Sequence, residues 1–364
     1  MIFKCGSMAE AECLASEIRR ILAGEIINIV INEICGTVYL IVDGQLELFS
    51  GSVLESLGVS VEAGAEASRE AGKRKARAKL VFSIRDGRET YFVADKNIKP
   101  DVRIGRRNYR NDDGLVSVIA GPCEIENYED LYETAAALRE CGVSVFRAMP
   151  RKPRSTPYFF QGVGDIGWKY LTRIRKELDM PVLAEVFSQD EIDIAMECGI
   201  DMIQIGARNM QNYDLIKRAA RSGITTVLKK GMWCTNYQLL MAAEYFFVYG
   251  KGNVILMERG ISTHENSTRN TMDLSGVRLL KDAVNLPVGA DASHATGMKN
   301  LVSPINEAAI LMGADVIEVE VHIDPQRTIK PGDYRQMLNT EEYSEMLEKL
   351  RTVMDLRGAK YDFE

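Results

Sequence analysis

The chain has 364 residues, 46% of them hydrophobic and 27% charged, which exceeds one average domain and suits a globular protein with a large core. Its formal net charge of −7 gives no reason to expect nucleic acid as a partner. No apolar run approaches the roughly 18 residues of a membrane span, and the first residues turn charged before a signal-peptide core could form. Seven cysteines without a CxxC pair indicate neither a disulfide framework nor a zinc ribbon, so we expect a cytoplasmic protein with no membrane contact.

The first 64 residues predict a small α+β domain. Apolar residues at helical spacing alternate with β-rich runs in the order βαββαβ, which is the ferredoxin-like arrangement. Residues 1–64 contain no histidine, no cluster of metal ligands and no Gly-rich phosphate loop, which favours regulation or binding over catalysis. The predicted elements are a strand at 2–5, a helix at 9–23, strands at 25–34 and 37–44, a helix at 45–57 and a strand at 59–64.

Residues 65–115 are predicted to connect this domain to the rest of the chain. Residues 65–79 are Ala-rich and carry five basic residues in their second half, which is typical of a solvated helix; contact with a polyanion is the alternative. Residues 80–94 form two β-rich runs around Asp86-Gly87, a dipeptide that favours a hairpin turn.

From residue 116 to residue 364 the chain alternates between strand and helix patterns. Eight such units in about 240 residues predict a closed (β/α)₈ TIM barrel. An open doubly wound sheet is the alternative, but it would more often carry a GxGxxG turn after its first strand, and the sequence has none there. The predicted barrel strands are 116–121, 143–148, 181–187, 202–206, 225–229, 254–258, 287–292 and 316–321.

Cationic residues stand at the ends of four of these strands. The carboxyl ends of barrel strands converge on one mouth, where barrel enzymes place their chemistry. Several like charges close together are costly unless an anion neutralises them, and Arg and Lys suit phosphate and carboxylate oxygens. The mouth is therefore predicted to bind one or two anionic ligands through Arg147, Arg208, Lys229 and Arg259.

A possible metal site overlaps this cationic site. Cys123, His294 and Glu320 follow or end strands one, seven and eight, which are neighbours in a closed barrel. A thiolate, an imidazole and a carboxylate together suit a divalent ion such as Mn²⁺, Fe²⁺, Co²⁺ or Zn²⁺. Each residue alone is more often structural, so the prediction depends on the set.

Seven motifs, in order along residues 116–350, resemble those of 3-deoxy-D-arabino-heptulosonate 7-phosphate (DAHP) synthases of the short microbial class with an N-terminal ferredoxin-like domain. This resemblance implies condensation of phosphoenolpyruvate with erythrose 4-phosphate, the first step of the shikimate pathway to aromatic amino acids. The motifs are IAGPC (119–123), KPRSTPYFFQG (152–162), QIGARNMQN (204–212), LKKG (228–231), ERGISTHENSTRNTMD (258–273), DASH (291–294) and EVEVH (318–322).

The resemblance also implies a role for each matching residue. Glu185 would position water or handle a proton, and a metal ion would polarise the aldehyde of the acceptor. The implied catalytic residues are Lys152, Glu185, Cys123 and His294, and the implied metal ligands are Cys123, His294, Glu320 and Asp333. The implied substrate-binding residues are Arg147, Lys152, Pro153, Arg154, Ser155, Ala207, Arg208, Lys229 and Arg259.

Some positions depart from the family pattern. Asp333 matches the fourth metal ligand only if two extra residues precede it. Glu124 follows the GPC motif, Ser155 replaces the usual Thr, and residues 148–150 replace a small Gly-containing stretch near the acceptor site. The alternatives are therefore a sister synthase that uses another aldose phosphate, such as the octulosonate 8-phosphate type or a secondary-pathway paralogue, and a non-catalytic sensor of phosphorylated metabolites.

The resemblance predicts further partners. The N-terminal domain is expected to bind an aromatic amino acid, Tyr or Phe, at an interface between subunits. The alternative is that this domain only aids oligomerisation. A homo-oligomer is expected, with a tetramer favoured.

Overall fold

The structure is a computed structural model that describes residues 1–23, 27–44, 53–54, 57, 59–61, 78–82, 91–109, 114–154, 156–329 and 334–362. No helix within these stretches is long and apolar enough to cross a lipid bilayer. Several predicted features lie outside the described residues: most of the helix at 45–57, residues 62–77, the Asp86-Gly87 turn, Ser155 and Asp333.

The N-terminal part of the chain forms a five-stranded sheet against which helix α1 packs. Ala11, Leu14, Ala15 and Ile18 recur at helical spacing, and this face of α1 is buried with Leu40 in one core. The strand order is β2-β3-β1-β5-β4, with β1 antiparallel to both of its neighbours. The elements are β1 (Ile2–Cys5), α1 (Met8–Ile21), β2 (Ile27–Ile34), β3 (Thr37–Gly44), β4 (Val59–Val61) and β5 (Ala78–Phe82).

Strand β5 corrects the interpretation of residues 65–94. It lies in the stretch predicted as connector and hairpin, but it pairs with β1 in the N-terminal sheet. The predicted last strand of the small domain is β4, which is parallel to β5 at the edge of the sheet. Residues 91–94 form bends and turns instead of a second hairpin strand. An isolated hairpin is only marginally stable, whereas pairing with β1 gives the backbone of β5 partners in a larger sheet.

The predicted eight-stranded barrel is confirmed. A short hairpin of β6 (Val102–Ile104) and β7 (Arg107–Tyr109) precedes it. The barrel strands are β8 (Leu115–Gly121), β9 (Val145–Arg147), β10 (Val182–Glu185), β11 (Met202–Ile205), β12 (Thr225–Lys229), β13 (Val254–Glu258), β14 (Val288–Asp291) and β15 (Val316–Glu320). The helices are α2 (Tyr128–Cys141), α3 (Asp165–Glu177), α4 (Gln189–Glu197), α5 (Tyr213–Ser222), α6 (Asn236–Val248), α7 (Leu274–Ala283), α8 (Ala292–Thr296), α9 (Lys299–Leu311) and α10 (Thr340–Arg357).

The barrel closes because β15 pairs with β8 in parallel, with Glu320 opposite Gly121. A final short strand, β16 (Lys360–Tyr361), adds to the beginning of β8. The buried carboxylate of Asp362 accepts hydrogen bonds from the Ser117 hydroxyl at 2.9 Å and from Arg107 Nε at 2.9 Å. The end of the chain is thereby fixed at the amino-terminal end of the barrel, opposite the mouth.

Helix α6 links the barrel to the N-terminal sheet. The Asn32 side chain of β2 donates hydrogen bonds to the carbonyls of Phe247, at 2.6 Å, and Gly250, at 2.5 Å. The Glu244 carboxylate accepts hydrogen bonds from the backbone N–H groups of residues 91–93 at 2.8 to 2.9 Å. Without these contacts the polar groups involved would lack hydrogen-bond partners. The contacts therefore hold the N-terminal sheet and residues 91–93 against helix α6 and the residues that follow it.

Candidate active site

A cavity of about 310 Å³ opens at the carboxyl ends of the barrel strands. Six of its lining residues are Lys or Arg and one, Glu185, is a carboxylate, so its wall favours an anionic ligand. The lining residues are Cys123, Arg147, Lys152, Pro153, Glu185, Phe187, Gln204, Gly206, Ala207, Arg208, Asn209, Lys229, Met232, Arg259, Arg269, Asn270 and His294.

Cys123, His294 and Glu320 meet at one side of this cavity. Each offers a ligand atom, and these atoms lie within 4.8 Å of one another. His294 Nε2 lies 3.9 Å from Cys123 Sγ and 3.0 Å from Glu320 Oε1. The Lys152 ammonium also contacts the Cys123 sulfur. The register that places Glu320 opposite Gly121 brings the first and last ligands together, although they are distant in the sequence.

These three residues fit a divalent metal ion. Sulfur, nitrogen and oxygen donors together suit first-row transition metals. Glu320 Oε1 is buried and faces His294 Nε2 at 3.0 Å. Burial alone would raise the pKa of Glu320, but His294 holds it well below the usual range, so this carboxyl stays ionised as a ligand must be.

Asp291 orients the imidazole of His294. Its Oδ2 lies 2.7 Å from His294 Nδ1, and its Oδ1 accepts the backbone N–H of His294 at 2.9 Å. Burial alone would raise the pKa of Asp291, but His294 and Lys229 lower it well below the usual range. With Nδ1 held by a carboxylate, Nε2 points to Cys123 and Glu320, as in carboxylate–histidine–metal arrangements.

Buried ion pairs hold two cations in the cavity wall. Lys229 Nζ donates hydrogen bonds to Asp291 Oδ2 at 2.6 Å and to Glu318 Oε1 at 2.8 Å. Arg147 Nη1 donates to the same Glu318 oxygen at 2.5 Å. Lys229 is 3% exposed and Arg147 is 1% exposed, so protein groups rather than water determine their positions. Both cations are thus preorganised for a ligand.

Nη1 of Arg259 is a buried donor that meets no acceptor in the part of the chain that the structure describes. Its Nη2 donates to the His294 carbonyl at 3.2 Å, but its buried Nη1 has no hydrogen-bond partner among the described residues. Burial lowers the pKa of Arg259, although Asp291 opposes this effect, and the nearby Arg269 and Arg208 lower it further. A buried donor without a partner is costly, and an anion in the cavity would satisfy it.

Glu185 is the carboxylate within the cavity. Gln204 Nε2 donates to its Oε2 at 3.1 Å, while burial raises the pKa of Glu185 despite the cations of Lys229 and Arg147. Gly206 leaves room for this carboxylate, because a Cβ at position 206 would lie 2.0 Å from Glu185 Oε1. A carboxyl with a raised pKa beside cations is suited to proton transfer.

The Lys152 side of the cavity contains a compensating charge. Arg154 Nη2 donates to both carboxylate oxygens of Glu124, at 2.5 Å for Oε1. Lys152 Nζ lies 3.6 Å from Glu124 Oε2. Arg154 does not line the cavity; its side chain is held against Glu124 and the Phe160 carbonyl.

The structure thus brings most of the predicted site residues to one mouth. Glu320 lies behind the wall, in contact with His294, and Arg154 is turned toward Glu124. Ser155 and Asp333 lie outside the described residues. The predicted residues that line the cavity are Cys123, Arg147, Lys152, Pro153, Glu185, Ala207, Arg208, Lys229, Arg259 and His294.

Sequence reasoning assigned no role to five residues of this site. Asp291 forms an ion pair with Lys229, and Glu318 forms one with Arg147. The sequence contained a signal for both, because each is an acidic residue in a mostly apolar strand segment. Gln336 donates to Glu320 Oε2 at 2.5 Å, and Arg269 and Asn270 line the cavity from the loop after β13. Arg269 and Asn270 lie in a matched motif and Gln336 does not, but only packing shows that these three residues face the site.

The closed barrel and its cationic mouth, with three metal-ligand side chains, define a barrel enzyme for anionic substrates. The profile of the DAHP synthetase I family matches residues 94–356. The chain is 40% identical over 260 residues to phospho-2-dehydro-3-deoxyheptonate aldolase of Thermotoga maritima, covering 71% of this chain and 74% of that protein. The chain belongs to the DAHP synthetase I family.

Two solved structures from Thermotoga maritima are similar to this chain. A phospho-2-dehydro-3-deoxyheptonate aldolase (DAHP synthase) is 31% identical with a TM-score of 0.68, covering 99% of this chain and 98% of that chain. A truncated form of 3-deoxy-D-arabino-heptulosonate 7-phosphate synthase is 38% identical with a TM-score of 0.63, covering 69% of this chain and 91% of that chain. The likeness to the first of these extends through the N-terminal part as well as the barrel.

Proposed function

We propose that the chain is a transferase that condenses phosphoenolpyruvate with erythrose 4-phosphate and water, giving DAHP and phosphate. This is the first step of the shikimate pathway. The observation that carries the proposal is the cationic cavity beside Cys123, His294 and Glu320 in a member of the DAHP synthetase I family. In this cavity Nη1 of Arg259 has no hydrogen-bond partner among the residues that the structure describes.

The buried cations would bind phosphoenolpyruvate. Its phosphate and carboxylate are the two anionic groups that Arg147, Lys229 and Arg259 can receive, with Arg208 at the exposed rim. Ala207 and Pro153 would shape the walls around the substrates. Because buried carboxylates hold Arg147 and Lys229 before substrate arrives, little reorganisation of these two cations is needed when charge moves in the transition state.

The reaction forms a bond between the enol carbon and the aldehyde carbon of the acceptor. Water adds at the neighbouring carbon, and phosphate leaves. Glu185 is the group that would position this water or hold its proton, since it is the carboxylate that lines the cavity and burial raises its pKa. Lys152 lies at the Cys123 sulfur, where its ammonium can donate to the aldehyde oxygen, and Arg154 and Ser155 would position the acceptor phosphate.

Cys123, His294 and Glu320 would hold a divalent ion, and Asp333 is proposed as the fourth ligand. When bound, such an ion acts as a Lewis acid that polarises the aldehyde oxygen. The ion is proposed to be Mn²⁺, Fe²⁺, Co²⁺ or Zn²⁺. Asp291 supports this role because it keeps Nε2 of His294 directed to the other two ligands.

We also propose a division of labour along the chain. Residues 1–64 together with strand β5 would regulate, the rest of residues 65–115 would connect and residues 116–364 would catalyse. The effector would be Tyr or Phe, bound between subunits of a homo-oligomer, with a tetramer favoured, in the cytoplasm. The support is a small sheet without described catalytic groups that is hydrogen-bonded through Asn32 to barrel helix α6.

The direct test is the identity of the product. Purified protein with a saturating divalent ion is given phosphoenolpyruvate together with erythrose 4-phosphate or, separately, arabinose 5-phosphate. We expect phosphate release and a product with the mass of a heptulosonate phosphate from the four-carbon aldose. Preference for the five-carbon aldose would move the function to the octulosonate type, and no condensation with either would favour a sensor.

A further inference from the structure

The carboxylate of Glu124 is hydrogen-bonded to the guanidinium of Arg154. Both carboxylate oxygens of Glu124 accept hydrogen bonds from Arg154 Nη2, while Arg154 Nε donates to the Phe160 carbonyl at 3.1 Å. The Glu124 side chain is 3% exposed and that of Arg154 is 11% exposed, so solvent screens this pair little. Two of the three guanidinium nitrogens that could bind an acceptor phosphate are therefore already engaged, Nη2 by a carboxylate and Nε by a carbonyl of the chain.

The charges around Lys152 and Arg154 are largely balanced. Lys152 Nζ lies 3.6 Å from Glu124 Oε2, and Glu126 lies close enough for both cations to lower its pKa, against the larger effects of burial and of Glu124. Two cations thus face two carboxylates. The opposite wall differs, because Arg259 Nη1 has no partner among the described residues. The Arg259 side of the mouth therefore has a donor available for an anion, whereas the positive charges on the Lys152 side are already balanced by carboxylates.

The sequence places Glu124 directly after Cys123, at the end of β8. It is one of the positions at which the chain departs from the DAHP synthase motif, so its effect belongs to this chain. A phosphate can approach Arg154 only by displacing the carboxylate or by standing beside it, and both arrangements are costly in a buried site. An unphosphorylated aldose would present a neutral hydroxyl at this position and would not incur the cost of placing a phosphate beside a buried carboxylate.

We infer that Glu124 is a specificity-determining residue that competes with the acceptor phosphate for Arg154 and Lys152. It thereby lowers the preference of the site for a phosphorylated over an unphosphorylated aldose. This inference rests on the proposed condensation with phosphoenolpyruvate, and it names the feature that sets the range of acceptors.

The test compares kcat/KM for erythrose 4-phosphate and for erythrose at saturating phosphoenolpyruvate and divalent ion. Glu124→Gln removes the charge but keeps the shape and one acceptor oxygen. We expect it to raise the ratio of the two kcat/KM values about tenfold or more, chiefly through a lower KM for erythrose 4-phosphate. The KM for phosphoenolpyruvate should not change. Glu124→Ser, which also removes the bulk, should act in the same direction.

Glu126→Gln is the matched control, because it removes the same charge nearby from a carboxylate that accepts the Ile329 N–H. A ratio that stays constant in both Glu124 variants, or rises equally in Glu126→Gln, would overturn the inference and leave the proposed function standing. Absence of product with either aldose would instead refute the proposed function. Wild-type protein gives a check without any variant: a preference for erythrose 4-phosphate of about 10⁴-fold or more, as in a site built for a polar group, would contradict the inference.

Discussion

Asp291 is the residue at which the metal ligands and the substrate cations are connected. Its Oδ2 lies 2.7 Å from His294 Nδ1 and accepts Lys229 Nζ at 2.6 Å. One carboxylate thus orients an imidazole on one side and an ammonium on the other. The sequence pattern did not indicate this function, because a single Asp in the DASH motif could equally cap the short helix α8, which it also does.

At the same scale, Cys123→Ser is predicted to lower metal content and activity together. A hydroxyl is a weaker and harder ligand than a thiolate for the proposed ions, so affinity should fall by about 10-fold or more. The measurement is metal analysis after dialysis against a weak chelator, together with turnover.

Cys234→Ser is the matched control for this prediction, since Cys234 is also buried but does not line the cavity. It should keep its metal content. Full turnover of wild-type protein freed of metal would contradict the Lewis-acid role.

The cationic side chains of the site could be predicted from the sequence, but their partners could not. Strand ends converge in any barrel, so Arg147, Lys229 and Arg259 were placed by position alone. Whether a cation faces the cavity or a neighbouring carboxylate depends on side-chain packing. Arg154 illustrates this: the motif predicts a phosphate contact, whereas the structure pairs it with Glu124.

Among the elements, helix α6 has two attachments. Its amino-terminal end follows the loop from β12, which ends in Lys229, and its carboxyl-terminal half binds the N-terminal sheet and residues 91–93. Phe92 also stacks on Phe247 of α6, with ring centroids 6.4 Å apart. A shift of the sheet would therefore act on the helix that follows a substrate-binding strand.

Glu244→Ala is predicted to lower the free energy of unfolding by about 2–3 kcal/mol, because three backbone N–H groups lose a buried acceptor. Urea denaturation followed by circular dichroism measures this change. Glu348→Ala, which removes an exposed glutamate of α10, should change stability little. Equal stability of the two variants would show that the bonds from Glu244 to residues 91–93 contribute little to stability.

The same comparison has a pH dependence. Burial raises the pKa of Glu244 above its ordinary 4.5, although the three N–H groups oppose this effect. The folded state therefore binds this proton more tightly than the unfolded state, so the contribution is fully present below that ordinary pKa and is lost as pH rises through the folded value. The stability difference between wild type and Glu244→Ala should be larger at about pH 5 than at about pH 8.

The strands of the barrel were predictable because each is a short apolar run, buried on both faces, between helices with a clear period. The pairing partner of strand β5 was not predictable. Its sequence favours a strand, but a sequence does not state which strand it will pair with. Pairing with β1 is decided by the tertiary arrangement, and so is the edge position of β4.

For the whole molecule, removal of residues 1–90 is predicted to leave condensation intact and to abolish inhibition by Tyr or Phe. The cut keeps residues 91–93, which bind Glu244, and the range 94–356 that matches the family. A cut after residue 64 is unsuitable because β5 would lose its partner β1.

Turnover with and without Tyr or Phe measures this effect, and light scattering gives the number of subunits in each form. Retained inhibition in the truncated protein would place the effector site in the barrel. Loss of assembly without loss of inhibition would restrict the N-terminal part to oligomerisation.

The pairing of β8 with β15 joins segments about 200 residues apart in the chain. Cys123 follows the first of these strands, and Glu320 ends the second. A nascent chain on the ribosome therefore holds the thiolate long before the carboxylate is synthesised. The three-donor set therefore cannot form until residue 320 has been synthesised and β15 has paired with β8.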